Sequence, residues 1–371
     1  MRTQLNSIQY LRAIAAILVA YSHSIDLQMN YSGAHSFQQD FVYLQNFGAF
    51  GVDLFFVISG FIISYSAERY KGIRDGSTFL RHRFRRLNPV YYIVTLLYIL
   101  MSVHARLRDH VPFLNGQKLV KSIFLLPLLD RTKFIDCILF QAWTLSFEWF
   151  FYLLFLVTIL AGTRHKQRYL TIMMIGLVAT GLFLHGGDYR LHFISNPILL
   201  EFMLGGIIYW CYSRSTIRTT GALALLLAGI AICIYGIIKG FGDIDGASGI
   251  FSGRLSFMRL LYWGIPAGLL VAGSVFLEKK GIPGFARNRR LLALLGDSSY
   301  SIYLINTLVF ETIAWGYRRT GFFLNPDLAI FLQLAVAIFA GVLFYKWVEA
   351  PLLRRLRKKN PSYSISTTLP R

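Results

Sequence analysis

The chain has 371 residues, 55% of them hydrophobic and only 15% charged, with a mean hydropathy of +0.51. This composition points to one polytopic membrane bundle and away from the two soluble domains that the length would allow. The 38 Lys and Arg residues give a net charge of +20 but are spread over the chain, which argues against nucleic-acid binding. The three cysteines have no paired spacing, so we expect neither a disulfide framework nor a metal site.

Apolar stretches of membrane-spanning length recur from end to end, which predicts an all-α polytopic membrane protein. Residues 1–351 are expected to form one membrane domain and residues 352–371 a short basic cytoplasmic tail. Because Arg12 interrupts the first apolar stretch, we predict a first transmembrane helix there and not a cleaved signal peptide. The bundle of about ten transmembrane helices is predicted to span residues 8–25, 47–66, 88–104, 142–161, 169–185, 194–213, 219–238, 260–278, 298–317 and 327–348.

The distribution of Lys and Arg among the connections predicts the orientation of the bundle. Connections on one side carry most of these residues, whereas the first connection on the other side, residues 26–46, carries none. Both termini are therefore predicted to be cytoplasmic. The long outer connection, residues 105–141, contains the apolar stretch from Ile123 to Leu129, which is too short to span. We expect this stretch to be re-entrant or interfacial and to cover the outer mouth of the bundle.

The first predicted helix carries two ionisable residues, Arg12 and His23, in an otherwise apolar sequence. Their spacing corresponds to three helical turns plus about 20°, so both side chains share one face, about 16 Å apart along the axis. Because charged side chains are costly in lipid, this face is expected to point toward protein or water. We predict that it lines a polar path, with Arg12 near the inner surface and His23 near the outer surface.

The predicted orientation sorts the other charged residues of the spans into two layers. The outer layer contains His23, Asp53 and Glu148, where a carboxylate would orient the histidine as a general base. The inner layer contains Arg12 with Arg83 and Arg86, which are three residues apart and share a helical face. An arginine cluster of this kind suits a polyanionic cytosolic ligand such as a coenzyme phosphate.

Each of these residues also has a purely structural interpretation. His23 could be interfacial, the arginines could be topology anchors, and Asp53 could cap its helix. Glu201 lies in mid-span and is either a structural partner of Arg12 or part of the path. Gly205 and Gly206 are predicted to allow close helix packing.

Seven sequence blocks occur in an order that resembles the type-3 membrane acyltransferase family, and most of all its branch that O-acetylates bacterial exopolysaccharides. The resemblance extends from Ile8 to about Leu352. The blocks are IQYLRAIAAILVAYSHS, GVDLFFVISGFIIS, FLRHRFRRLNPVYY, WTLSFEWFFYLL, NPILLEFMLGG, LGDSSYSIYLIN and WVEAPL.

The resemblance implies a multi-pass protein of the bacterial inner membrane that uses acetyl-CoA as cytosolic donor and a sugar hydroxyl as acceptor, without a metal. It implies a lipid-linked or nascent polysaccharide as acceptor and polysaccharide assembly proteins as partners. The family's Arg–His pair matches Arg12 and His23, and its donor-binding Arg-x-x-Arg motif matches Arg83 and Arg86.

Two further family motifs match, and one position departs from the pattern. The Trp-Ser-Leu-x-x-Glu motif matches Trp143 to Glu148, with Thr144 where Ser is usual, and the late Glu-x-Pro motif starts at Glu349. We therefore predict His23 as the general base, with Glu148, Asp53 and Glu349 as further catalytic candidates. Many relatives have His where this chain has Asn306, and Asn cannot take a proton at neutral pH.

Two other functions are compatible with a polytopic bundle. A secondary transporter would use the same charges as a proton and substrate path, but it predicts inverted repeats, which the sequence does not show. A non-catalytic component of a polysaccharide assembly complex would not need two layers of charge. Thioester hydrolysis by the purified protein separates these alternatives from acyl transfer.

Overall fold

The chain folds as a helical bundle in a computed structural model. All regular elements among the described residues are helical. The structure describes residues 5–31, 36–40, 47–67, 70, 72–106, 115–127, 130–132, 134–183, 188–239, 247–251, 253, 256–282, 284, 289–322 and 324–358.

The described residues form eleven main helices and several short ones. The main helices are α1 (Asn6–Tyr31), α2 (Phe50–Ala67), α3 (Ile73–Arg106), α4 (Gly116–Phe124), α5 (Trp143–Leu160), α6 (Lys166–Gly181), α7 (Leu199–Arg214), α8 (Thr219–Lys239), α9 (Ile265–Lys279), α10 (Ser299–Thr320) and α11 (Pro326–Phe344). The short helices are Phe37–Asp40, Phe140–Ala142, Tyr189–Ile194, Ala247–Phe251, Ser256–Arg259, Arg290–Asp297 and Ala350–Lys358. π-Helical turns at Leu260–Gly264 and Tyr345–Glu349 precede α9 and follow α11.

The predicted all-α polytopic class is confirmed, and among the described residues a helix covers most of each of the ten predicted spans. Among the described residues, seven helical segments are long and apolar enough to cross a membrane, and Phe50–Ser66 is a shorter apolar helix. The total of ten spans and the cytoplasmic termini remain predictions. The third span was predicted to begin at residue 88, but α3 begins at Ile73, because the basic residues before the apolar stretch also favour helix. Of the predicted basic tail, residues 359–371 lie outside the described part of the chain.

Helix α1 lies at the centre of the bundle and packs against α2, α9, α10, α11 and the helix Arg290–Asp297. Its alanines at 13, 15, 16 and 20 are fully buried, which allows the neighbouring helices to approach closely. Toward the C-terminal end of α1, Ser24 Oγ donates a hydrogen bond to the Ile330 carbonyl of α11 at 2.8 Å. A helix surrounded on most sides by protein can carry ionisable residues at low cost.

Helices α2 and α7 cross at two glycines. A Cβ added at Gly60 would lie 2.0 Å from the Phe202 carbonyl oxygen, and one added at Gly205 would lie 2.0 Å from the Val57 carbonyl oxygen. Only glycine permits backbones to come this close. The predicted role of Gly205 in close packing is therefore confirmed.

Several connections pack against the N-terminal part of α5 through an aromatic cap, which consists of Phe134, Phe147, Tyr189, Phe193 and Phe251. Within this cap, the Phe147 and Phe193 rings are 4.6 Å apart and the Phe134 and Phe251 rings are 4.8 Å apart. Tilted aromatic contacts of this kind pack densely without polar groups. The cap covers the end of the bundle at which α5 begins.

The predicted re-entrant or interfacial stretch contains the end of α4. Leu125 is buried, whereas Ile123 and Phe124 are exposed on the surface of the protein. On the buried face of α4, Lys121 forms an ion pair with Asp130, and the Lys121 Nζ lies 4.2 Å from the centre of the Phe134 ring. This connection is therefore anchored to the aromatic cap. Residues 128–129 of the stretch, and 107–114 before α4, lie outside the described residues.

Candidate active site

A cluster of charged side chains surrounds Arg12 in the interior of the bundle. Arg12 interacts electrostatically with Arg86 of α3, Glu148 of α5, Glu349 of the second π-helical turn and Asp297. We call Arg12, Arg86, Glu148 and Glu349 the central charge cluster. Four segments that are distant in sequence contribute to it, and it contains four of the residues that the sequence predicted.

Glu148 is held in this cluster by hydrogen bonds from two helices. Its Oε1 accepts a hydrogen bond from Ser59 Oγ of α2 at 3.1 Å and another from Tyr152 Oη, one turn later on α5. Residues four apart on a helix lie one above the other, so the Glu148–Tyr152 pair follows from the local sequence. The contact with Ser59 depends on the packing of α5 against α2.

Glu349 reaches the cluster from the end of its π-helical turn. Its side chain is buried and accepts a hydrogen bond from Ser301 Oγ of α10. Nearby, Tyr300 Oη donates a hydrogen bond to the Leu87 carbonyl at 3.0 Å, which ties α10 to α3. π-Helical turns are rare and occur often at functional sites, because the inserted residue changes which side chain faces inward.

The two arginines of the Arg-x-x-Arg motif have different surroundings. Arg83 is buried, its Nη2 donates to Ser66 Oγ at 2.9 Å, and its Cζ lies 5.4 Å and 5.6 Å from the ring centres of Phe79 and Tyr152. Arg86 is half-buried and belongs to the central charge cluster. Donor binding by these two arginines remains a prediction, and Arg86 is the more exposed of the two.

His23 lies apart from the central charge cluster, toward the C-terminal end of α1. Its Nδ1 is 3.4 Å from Asp26 Oδ2, one turn later on the same helix, and its side chain is 31% exposed. Asp26 was not predicted as the carboxylate partner, although the i, i+3 spacing is visible in the sequence. The expected partner Glu148 instead interacts with Arg12, about 16 Å inward along α1 from His23.

Asp53, the other expected partner of His23, forms a fully buried ion pair with Arg259. Its two carboxylate oxygens accept from Arg259 Nε at 2.9 Å and Nη2 at 2.8 Å. The fully buried side chain of Glu201 interacts with the same pair, whereas the two predicted alternatives were a partner of Arg12 or a part of the polar path. The Arg259 guanidinium also lies 5.7 Å from the centre of the Trp143 ring. Arg259 was not among the predicted site residues because it lies just outside a predicted span.

A cluster of uncharged polar groups lies where α5 begins. Gln141 Nε2 donates to Asn306 Oδ1 of α10 at 2.5 Å, and Tyr303 Oη donates to the Gln141 carbonyl at 3.0 Å. Thr144 Oγ1 lies 2.9 Å from Tyr303 Oη, so the threonine hydroxyl fills the position where the family usually has serine. Asn306 therefore pairs with an amide and does not act on a charged neighbour.

The described residues contain no group of three His, Cys, Asp or Glu side chains that could hold a metal ion. The three cysteines are free thiols.

Comparison with known proteins identifies the family. A family model described as an acyltransferase domain, the type-3 acyltransferase family, matches residues 5–347. The chain is 30% identical over 317 residues to the exopolysaccharide production protein ExoZ of Rhizobium meliloti, covering 84% of this chain and 92% of ExoZ.

Two further relatives are named as transferases. The acyltransferase MdmB of Streptomyces mycarofaciens is 24% identical over 96% of this chain and 94% of its own length. A putative O-acetyltransferase of Staphylococcus aureus is 23% identical over 85% of this chain and 55% of its own length. No solved structure matches the chain. The chain belongs to the type-3 acyltransferase family, and it is a multi-pass membrane O-acyltransferase.

Proposed function

We propose that the protein resides in the bacterial inner membrane and transfers an acetyl group from cytosolic acetyl-CoA to a hydroxyl of a cell-surface or exopolysaccharide glycan. The observation that carries the proposal is the arrangement along α1, where Arg12 belongs to the central charge cluster and His23 lies about three turns further out beside Asp26. The similarity to ExoZ, an exopolysaccharide production protein, supports a glycan as the acceptor.

In this proposal the donor is held by the inner arginines. Arg86 is half-buried and positively charged beside Arg12, so the two can contact the anionic groups of coenzyme A. Arg83 contributes indirectly, because it stacks on the ring of Tyr152, which in turn donates a hydrogen bond to Glu148. Glu148 and Glu349 balance the positive charge of the cluster and orient its arginines.

The chemical step is assigned to His23. With its Nδ1–H donated to Asp26, the other ring nitrogen is free to remove the proton from the glycan hydroxyl as its oxygen attacks the thioester carbonyl. The C–S bond then breaks, and the imidazolium returns the proton to the departing coenzyme A sulfur. The negative charge of Asp26 stabilises the imidazolium formed in between. Asp53 is assigned to structure, because it neutralises Arg259.

The decisive test is acetyl transfer by the purified protein in nanodiscs, using radiolabelled acetyl-CoA and alkali-deacetylated polysaccharide from the host cells. His23→Ala should lower the transfer rate by about 10²–10⁴, because a general base contributes that much. Asp26→Asn should lower it less, since the amide oxygen can still accept a hydrogen bond from the ring. His165→Ala, at an exposed histidine before α6, should transfer at the wild-type rate.

A folded His23→Ala protein with a near wild-type rate would move the base elsewhere, with Glu349 as the next candidate. Consumption of acetyl-CoA by the wild-type protein, measured in the same assay, separates this function from a secondary transporter and from a non-catalytic assembly component. Both of those alternatives predict that no thioester is cleaved.

A further inference from the structure

Two buried amide side chains form one hydrogen bond with each other, and each has one further polar atom without a partner among the described residues. Gln141 and Asn306 are 3% and 0% exposed, and Gln141 Nε2 donates to Asn306 Oδ1. Within the described part of the chain, Gln141 Oε1 and Asn306 Nδ2 have no hydrogen-bond partner. Exchanging the oxygen and nitrogen positions of both amides would leave the same result, one free acceptor and one free donor on the paired amides. Buried polar groups are nearly always hydrogen-bonded, so this pair is expected to bind something.

The depth of the amide pair follows from helical rise. Glu148 interacts electrostatically with Arg12, which indicates a similar level for the two. Trp143, two residues after Gln141, precedes Glu148 by five residues on α5 and lies about 8 Å further out. His23 is about 16 Å further out than Arg12 by the same measure. The pair therefore lies between the levels of Arg12 and His23, closer to that of His23.

Packing of α1 against α10 gives an independent estimate of the same depth. A Cβ at Gly296, in the short helix Arg290–Asp297 that leads into α10, would lie 2.3 Å from the Gln9 carbonyl oxygen of α1. Leu27 of α1 belongs to the same buried cluster as Phe310 of α10. The two helices therefore run side by side in the same direction. Asn306 precedes Phe310 by four residues on α10, and His23 precedes Leu27 by four residues on α1. Asn306 and His23 therefore lie at about the same level, one turn inward of Leu27.

We propose that Gln141 and Asn306 form a subsite for a second hydroxyl of the acceptor sugar, next to the hydroxyl that His23 deprotonates. This inference rests on the proposed function and deepens it. The reacting hydroxyl must give its proton to His23 and cannot also donate to Gln141. A neighbouring hydroxyl can donate to Gln141 Oε1 while accepting from Asn306 Nδ2, since a hydroxyl is both donor and acceptor. The acceptor class is therefore a sugar with a free hydroxyl beside the acetylated one.

The surroundings hold this subsite in place. Tyr303 Oη donates to the Gln141 carbonyl, and the same hydroxyl contacts Thr144, so the backbone that carries Gln141 is fixed to α10. Asn306 Oδ1 also accepts a hydrogen bond from Thr307 Oγ1 at 3.4 Å. A site whose groups are already oriented loses little entropy when it binds its ligand.

The experiment measures the KM for the deacetylated polysaccharide and the KM for acetyl-CoA in nanodiscs. Asn306→Leu and Gln141→Leu should each raise the polysaccharide KM about tenfold or more, the cost of roughly one hydrogen bond to a buried group, and leave the acetyl-CoA KM unchanged. Asn306→Asp is isosteric but replaces the free donor by an acceptor, and it should also raise the polysaccharide KM. The matched control is Gln167→Leu, at another amide whose Nε2 is buried without a partner among the described residues.

If the leucine variants do not fold, the polysaccharide KM of Asn306→Asp alone tests the subsite. A wild-type polysaccharide KM in Asn306→Asp would overturn the subsite while leaving the proposed function intact. If the wild-type protein cleaves acetyl-CoA but acetylates no polysaccharide, the proposed glycan acceptor fails, and the subsite with it.

Discussion

Arg83 and Arg86 differ in their surroundings although they lie three residues apart on α3. Arg83 is enclosed by Ser66 and the rings of Phe79 and Tyr152, whereas Arg86 faces Arg12 and the glutamates of the central charge cluster. Cation–π contacts and a buried hydrogen bond stabilise the fold, but they leave little of the guanidinium available to a ligand. We therefore assign donor binding mainly to Arg86 and structural support mainly to Arg83.

Substitutions at these two arginines should separate the two roles. Arg86→Ala should weaken acetyl-CoA binding by about tenfold or more, the loss of a hydrogen bond to a charged group, without lowering the melting temperature. Arg86→Lys should recover only part of the affinity because lysine lacks the planar fork. Arg83→Ala should instead lower the melting temperature. Calorimetric titration measures the acetyl-CoA affinity, and thermal unfolding in the same detergent measures the melting temperature. An unchanged acetyl-CoA affinity in Arg86→Ala would show that this arginine is only a topology anchor.

The Asp53–Arg259 ion pair is fully buried, so removing either residue takes away the bidentate ion pair of the other in the protein interior. Asp53→Leu or Arg259→Met should each cost about 3–5 kcal/mol of stability, whereas the double variant should recover much of that loss. Thermal unfolding of the three variants measures this coupling. Single variants as stable as the wild type would show that the pair does not hold α2 to the segment before α9.

At the scale of helices, two π-helical turns adjoin charged residues of the interior. Arg259 directly precedes Leu260–Gly264, and Glu349 is the last residue of Tyr345–Glu349. A π-helical turn contains an additional residue, which rotates the following side chains relative to an ideal helix. Helical periodicity alone therefore misjudges which of these residues face the bundle interior.

The crossing of α2 and α7 gives a prediction at the same scale. Gly205→Ala would place a Cβ 2.0 Å from the Val57 carbonyl oxygen, so the helices must move apart at a cost of about 1–3 kcal/mol or more. Gly176→Ala on α6 is the control, since a Cβ there meets nothing within 4 Å and alanine favours helix. Thermal unfolding compares the two, and equal melting temperatures would contradict the close approach.

At the scale of the whole molecule, the orientation of the bundle decides which side supplies the donor. The predicted orientation exposes Gly162, between α5 and α6, to the cytoplasm, and Gly321, after α10, to the outside. Both glycines have room for an added chain, since a Cβ on either meets nothing within 4 Å. A phosphatase reporter fused after Gly321 should be active, and one fused after Gly162 should be inactive. The reverse pattern would put Arg86 on the outer side and contradict the cytosolic donor.

Properties that depend on local sequence could be predicted from the sequence. Hydropathy and helical length predicted a helix over every proposed span, because a bilayer requires a minimum apolar length. The 3.6-residue period put Arg12 and His23 on one face of α1, and the motifs indicated the family before any comparison. The pairing of Glu148 with Tyr152 and of His23 with Asp26 also follows from spacing along a single helix.

Only the tertiary structure decided which distant residues meet. Arg259 is 206 residues from Asp53, and Asn306 is 165 residues from Gln141, so neither pair leaves a periodic signal in the sequence. The depth of α5 within the bundle placed Glu148 beside Arg12 and not beside His23. Such contacts depend on how far each helix is shifted along its neighbours, which is set by close packing at positions such as Gly60 and Gly205 and not by the hydropathy of any one span.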